Sequence, residues 1–223
     1  MKNTIIKLSG IALLTLSLFI SSCSNSNKTD NATTGDEVVV DSANGNELAI
    51  NTETSKVGFT GYGVGKNHPG VFKISSGKVI IDNGKLTGGN FTININSLVL
   101  EQPEEMFQTK LKPHLLSADF LDATKYPDAK FEITLIKPYT ASGKDTAVVS
   151  GANYSISGNL TLKGVTKNIT FPANIEVADN SFKALANFNI DRTLWGIRYG
   201  NDKSLKDKFI SESVNIRLDI VSK

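Results

Sequence analysis

The sequence predicts an all-β fold: one antiparallel sheet of eight to ten strands, carrying a single short helical insertion. Two observations lead there. Between Tyr154 and Ile190 the chain alternates apolar and polar residues through three successive arms, the period-2 pattern of strands with one buried and one wet face. Short turn signals separate these arms, and the alternation returns in the last dozen residues, where Val214, Ile216, Leu218 and Ile220 stand against Ser213, Asn215, Arg217 and Asp219. A twisted antiparallel sheet of that many strands either closes on itself or splits into two packed layers.

The elements follow in order. Leu48–Ile50 reads as a short edge strand, and Val57, Phe59 and Gly61 begin a glycine-rich one. Gly61–Gly70 reads as a loop or a strongly bent strand. It is no phosphate cradle, because it lacks the G-x-x-x-x-G-K-[ST] spacing and no amphipathic helix follows. Val71–Ile74 and Lys78–Ile81 read as a hairpin about Ser75-Ser76-Gly77, with Asn83-Gly84 as the next turn. Phe91, Ile93 and Ile95 mark a half-buried strand. Glu104–Leu116 is the helical region, bent or split by Pro113, and Ser117–Asp122 begins a second short helical turn. Phe131, Ile133 and Leu135 restart the β pattern, and Gly143–Asp145 is a turn. Tyr154–Leu162 and Ile169–Val177 then form an up-and-down pair across the turn Lys163-Gly164-Val165-Thr166-Lys167, and Ala178–Asn180 turns the chain into Phe182–Ile190.

The N-terminal region divides from this domain by composition. Met1–Ser22 reads as a secretory leader: Lys2 and Lys7 precede an apolar run, Ile11–Ile20, too short to span a bilayer comfortably. Ile20-Ser21-Ser22-Cys23 resembles a bacterial lipobox. That resemblance implies that Cys23 is the lipid-attachment residue, the mature N-terminus and the link to a membrane; the alternative is a plainly secreted protein with a free thiol. Ser24 after the cysteine resembles the outer-membrane sorting pattern, which places the protein in the cell envelope, facing the periplasm. Residues 23–46, polar apart from Val38-Val39-Val40, read as a flexible tether, with an edge strand at Val38–Val40 as the alternative. The domain occupies 47–223.

Charge and chemistry-bearing residues exclude several classes. Removing Lys2 and Lys7 from the 24 basic residues leaves them balanced against 22 acidic ones, so there is no basic surplus for nucleic acid. One cysteine allows neither an intrachain disulfide nor a cysteine-based metal cluster. The two histidines, His68 and His114, lack zinc-site spacing, and no G-x-S-x-G elbow occurs. The reading is therefore a protein with no cofactor, no metal site and no catalytic residue.

Three segments carry a family resemblance. Gly158–Lys167 (GNLTLKGVTK), His114–Phe131 (HLLSADFLDATKYPDAKF) and Phe188–Ile197 (FNIDRTLWGI) look like the YceI-like family. One departure is Leu121, where the family often has a second Phe. The resemblance covers about Glu47 to Val221. It implies a lipocalin-like antiparallel barrel of about eight strands, binding a polyisoprenoid or other long-chain lipid in an apolar tunnel. On that reading Phe59, Phe72, Phe91, Phe131, Ile156, Leu160, Phe188, Ile190 and Trp195 line the tunnel. Arg192, with Arg198 or His114, would meet an anionic head group, since guanidinium suits bidentate contact; the alternative for Arg192 is a clamp closing the barrel end. Two competing functions remain open: a solidly packed structural or interaction lipoprotein, and an enzyme acting on such lipids. A homodimer through a sheet edge is possible on this pattern.

Overall fold

The computed structural model describes residues 30–141, 147–178 and 181–223. The leader, Cys23 and the expected turns at 143–145 and 179–180 lie outside them, wholly or in large part. Eight antiparallel strands close into a barrel: β4 (Lys56–Gly63), β5 (Lys66–Asp82), β6 (Lys85–Leu100), β7 (Asp128–Pro138), β8 (Tyr154–Leu162), β9 (Val165–Ala178), β10 (Ser181–Asp191) and β11 (Ile210–Val221). Each pairs with its neighbour in sequence, and β11 pairs back onto β4 through Asn215↔Thr60 and Leu218↔Val57. The predicted fold class is the observed one.

Turn chemistry fixes the registers. At β5–β6 and β8–β9 the two-residue turns Asn83-Gly84 and Lys163-Gly164 put both residues at positive φ (49° and 73°; 49° and 74°). That is the hairpin geometry whose twist matches the flanking strands, and a glycine at its second position meets no Cβ penalty. The expected hairpin about Ser75-Ser76-Gly77 does not form. β5 runs straight through, with register shifts against β6 between Val71 and Lys73 and between Ile74 and Ser76. The glycine there serves proximity: a Cβ on Gly77 would lie 2.7 Å from Cβ of Phe91. Of the two readings of 61–70, loop or strongly bent strand, the structure has strand: β4 turns tightly into β5 with Gly63 opposite Lys66. The helical insertion falls where expected, as a π-helical turn at Phe107–Leu111 running directly into α1 (Lys112–Leu116), and Pro113 sits just past their junction, where its missing N–H interrupts the helical ladder.

Part of the segment expected to be a free tether is paired to the barrel. β9 and β10 share a ladder only from Ala173↔Ala186 to Ala178↔Ser181. Beyond it the strands part, and residues 30–35 enter the gap. There β1 (Asp30–Asn31) runs parallel to β10 at Phe188 and Asn189, and β2 (Thr33–Gly35) runs antiparallel to β9 at Asn168–Thr170. Two strand edges that would expose bare N–H and C=O groups are thereby satisfied. Val38–Val40 form no strand. Val38 is instead held by the buried Asn159 amide, which accepts from its N–H (3.1 Å) and donates to its C=O (2.7 Å). Further on, β3 (Asn46–Ala49) pairs with Lys78–Ile81 of β5, and Ile50 bridges Ser222.

The apolar faces all turn inward. Ile74, Ile93, Phe131, Ile156, Phe171, Phe188 and Ile220 are buried members of one cluster. β8 contributes a glycine at the barrel's waist, and a Cβ on Gly158 would lie 2.3 Å from Cζ of Phe131. The Phe131 ring therefore lies against bare β8 backbone. We expect Gly158→Ala to lower stability by about 1–3 kcal/mol by overpacking, read as a reduced urea midpoint at unchanged m.

Candidate functional site

Inward-facing side chains of a closed eight-stranded barrel can just fill it, or can leave room for one small ligand. Here they leave a hollow of about 330 Å³ at one end. Seven of the nine expected tunnel residues line it: Phe59, Phe72, Phe91, Phe131, Leu160, Phe188 and Ile190. Their strands deliver them at alternate positions, as the sequence pattern requires. Ile156 sits deeper, on a second hollow of about 50 Å³. Trp195 touches neither. It is wholly buried beside the barrel end, its indole N–H donating to the Leu160 carbonyl at 3.0 Å.

Other wall residues escaped the sequence reading. Ile169 and Phe171 of β9 and Val214, Ile216 and Leu218 of β11 complete the wall, and Leu111, Leu115, Phe120 and Leu121 cover the mouth from the helical insertion and the turn after it. The β9 and β11 residues carried the alternation signal, but which of many inward positions adjoin empty space is a three-dimensional matter. Leu111 and Leu115 lie four apart on one helical face, a spacing that announces burial without saying against what.

The polar groups gather at the mouth. Lys66, His68, Asp207 and Lys208 line it. His68 Nδ1 is 2.8 Å from Oε1 of Gln102, and its ring packs on Phe107 at 5.4 Å. Arg192 also reaches the lining, yet its guanidinium is engaged elsewhere. Nε donates to the Ser211 carbonyl (2.8 Å), Nη1 to Ile197 (2.6 Å), and Nη2 to Tyr199 (2.9 Å) and Ile210 (3.0 Å). Burial pushes its pKa below the ordinary guanidinium value, against the opposing pull of Asp191 and Glu212. The clamp reading of Arg192 therefore displaces the head-group reading: its fork ties the segment after β10 to the start of β11. Asp191 begins that segment by accepting from the Thr193 N–H at 2.9 Å.

The other two head-group candidates stand off the cavity lining. Arg198 is exposed. His114 Nε2 lies 2.9 Å from Oδ2 of Asp119, and its ring meets Phe120 and Tyr199 edge-on at 5.0 and 4.7 Å. Lys66 and Lys208 are the cations that the fold brings to the mouth, and no sequence motif marked them. Among the described residues no cluster of three or more His, Cys, Asp or Glu side chains could hold a metal, and no buried side-chain N or O lacks a hydrogen-bond partner. The wall thus offers contact to apolar groups and almost no directed polar chemistry.

Residues 48–222 match the YceI-like domain family. The chain belongs to the YceI-like family. Among curated relatives, a UPF0312 protein of Pseudomonas putida (strain W619) is 35% identical over 127 residues, which is 56% of this chain and 59% of that one. Protein YceI of Shigella flexneri is 33% identical over 132 residues, 59% of this chain and 58% of its own length. The chain thus matches a little under three fifths of the length of these relatives. Among solved structures, Burkholderia cenocepacia BcnA superposes with a TM-score of 0.60 at 21% identity, covering 78% of this chain and 99% of BcnA. A polyisoprenoid-binding domain of Saccharophagus degradans, implicated in plant cell wall breakdown, superposes at 0.56 with 13% identity, covering 79% and 97%. At these identities the likeness is one of fold alone.

The carbonyl clamp gives a direct expectation. Arg192→Met leaves buried carbonyls unpaired and costs about 1–3 kcal/mol, while Arg192→Lys recovers only part of that, because an ammonium cannot reproduce the planar fork. Thermal unfolding of both variants measures the loss. Uptake of an apolar probe by Arg192→Lys should match wild type within error.

Proposed function

We propose that this YceI-like protein binds the chain of a polyisoprenoid or other long-chain lipid inside its barrel and presents it at the bacterial cell envelope, tethered to a membrane through an acylated Cys23. The observation that carries the reading is the 330 Å³ apolar hollow. Walls lined by apolar side chains that face empty space forgo the contacts a filled core would make, a cost that grows with the size of the hollow. A solid structural barrel would have no reason to carry it.

The energetics of a lipid occupant are favourable. Each buried methylene contributes roughly 0.8 kcal/mol, so about ten yield on the order of 8 kcal/mol before association costs. No charged contact is required for binding. An anionic head at the mouth would find Lys66 and Lys208 within the lining. The polyisoprenoid-binding description of the Saccharophagus neighbour supports an isoprenoid as the first ligand to try. The lipobox-like Ile20–Cys23 supports the anchor and the envelope location, and two or more acyl chains on Cys23 would hold stably where one would not.

Native mass spectrometry of detergent-free protein starting at Cys23, with that cysteine replaced by Ser, should show a co-purifying apolar adduct. A homogeneous ligand-free mass together with no uptake of prenyl or fatty probes would refute the lipid reading. Val214→Trp, projecting a ring from the wall, should weaken probe binding about tenfold, the loss of roughly two buried methylenes, with the far-ultraviolet spectrum unchanged. For the anchor, Cys23→Ser in the full chain should move the protein from the membrane fraction to the soluble fraction.

A further inference from the structure

The barrel's interior holds two hollows, and a layer of phenylalanines divides them. Phe91 of β6, Phe131 of β7 and Phe171 of β9 each border both the 330 Å³ hollow at the mouth and the 50 Å³ hollow beyond. Together with Phe188 of β10 their rings form a series along the β6–β10 side of the waist: Phe91 to Phe131 at 5.3 Å, Phe131 to Phe171 at 5.8 Å, and Phe171 stacked on Phe188 at 4.0 Å and 12°; Leu218 of β11 borders both hollows from the opposite side. Rings 4.0 Å apart are in van der Waals contact and admit no methylene between them. β8 supplies Gly158 at this level, so Phe131 lies over it and reaches Phe171. Phe131, Phe171 and Phe188 are 5%, 3% and 2% exposed, which leaves them little freedom to swing aside.

We propose that this phenylalanine layer is the floor of the lipid site and sets the length of chain it takes. The inference rests on the lipid-binding reading above and narrows it: the buried part of the ligand is one hydrocarbon tail that stops at the layer. On the scale on which an engineered apolar cavity of about 150 Å³ takes one benzene ring, 330 Å³ takes about a dozen carbons. A longer tail leaves its remainder outside the mouth, against Leu115 and Leu121, and does not thread the barrel from end to end.

The test is a length series. Dissociation constants of straight-chain alcohols of about 8 to 18 carbons, and of prenyl alcohols of two to four isoprene units, are measured on the full domain by displacement of a fluorescent fatty probe. For the wild type, Kd should fall about fourfold per added methylene and then level off near a dozen carbons. Phe131→Ala joins the two hollows and should move that break to longer chains. Ala184 lines only the small hollow. Ala184→Leu should therefore leave the wild-type profile unchanged, and should cancel the shift when added to Phe131→Ala.

A wild-type Kd that keeps falling through 18 carbons, or a wild-type break that shortens in Ala184→Leu, means that the tail passes the layer and overturns the proposal. An unmoved break in a folded Phe131→Ala overturns it as well. Should Phe131→Ala fail to fold, Ala184→Leu alone decides, by leaving the profile intact or truncating it. Absence of binding at every length refutes the lipid site itself, and the floor with it.

Discussion

Everything in this molecule depends on the closure of the β11–β4 ladder. Once Asn215 pairs with Thr60 and Leu218 with Val57, eight strands share one interior, and half of their side chains must point into it. Strand number and stagger set the circumference, residues 30–35 extend it where β9 and β10 part, and the side chains decide how far the space fills. At the end beyond the waist, Ile156, Ala173, Ile175, Phe182 and Ala186 come together and leave about 50 Å³. Toward the mouth the same kinds of side chain line walls too far apart to meet, and the hollow remains.

That distinction explains what could be read from the sequence. The alternation from Tyr154 to Ile190 named the inward residues of three strands, and the Asn83-Gly84 and Lys163-Gly164 dipeptides named two turns, because both signals are local. Periodicity is the same for a filled barrel and a hollow one, so the cavity itself entered only through the family resemblance. Ser75-Ser76-Gly77 misled because a Ser-Gly cluster inside a strand looks like a turn. Its glycine instead makes room for Phe91 across the ladder. The pairing of 30–35 left no trace: Asp30, Asn31 and Thr33 pair through their backbones, which has no composition of its own, and the side-chain bonds that Asp30 accepts from the Val148 N–H and Asn31 from Asn189 reach partners far away in sequence.

The motif Phe188–Ile197 shows how a chemically suggestive residue can serve structure. An arginine beside a cavity mouth invites an anion. Here the local chain turns at Arg192–Trp195 and returns its own carbonyls to the guanidinium, while Trp195 caps Leu160. The charge is used to weld the segment after β10 to the start of β11. The lysines free to meet a ligand come instead from the β4–β5 turn and the approach to β11, segments that carry no motif.

Docking of residues 30–35 in the seam between β9 and β10 also measures a leash. Six residues lie between Cys23 and Asp30, and even fully extended the seven steps span no more than about 25 Å. With the acylation of Cys23 proposed above, the paired segment would hold the barrel within about that distance of the bilayer and would not let it reach a distant second membrane. Delivery over distance would then fall to a cleaved form of the chain or to whatever soluble partner meets it at the lipid surface.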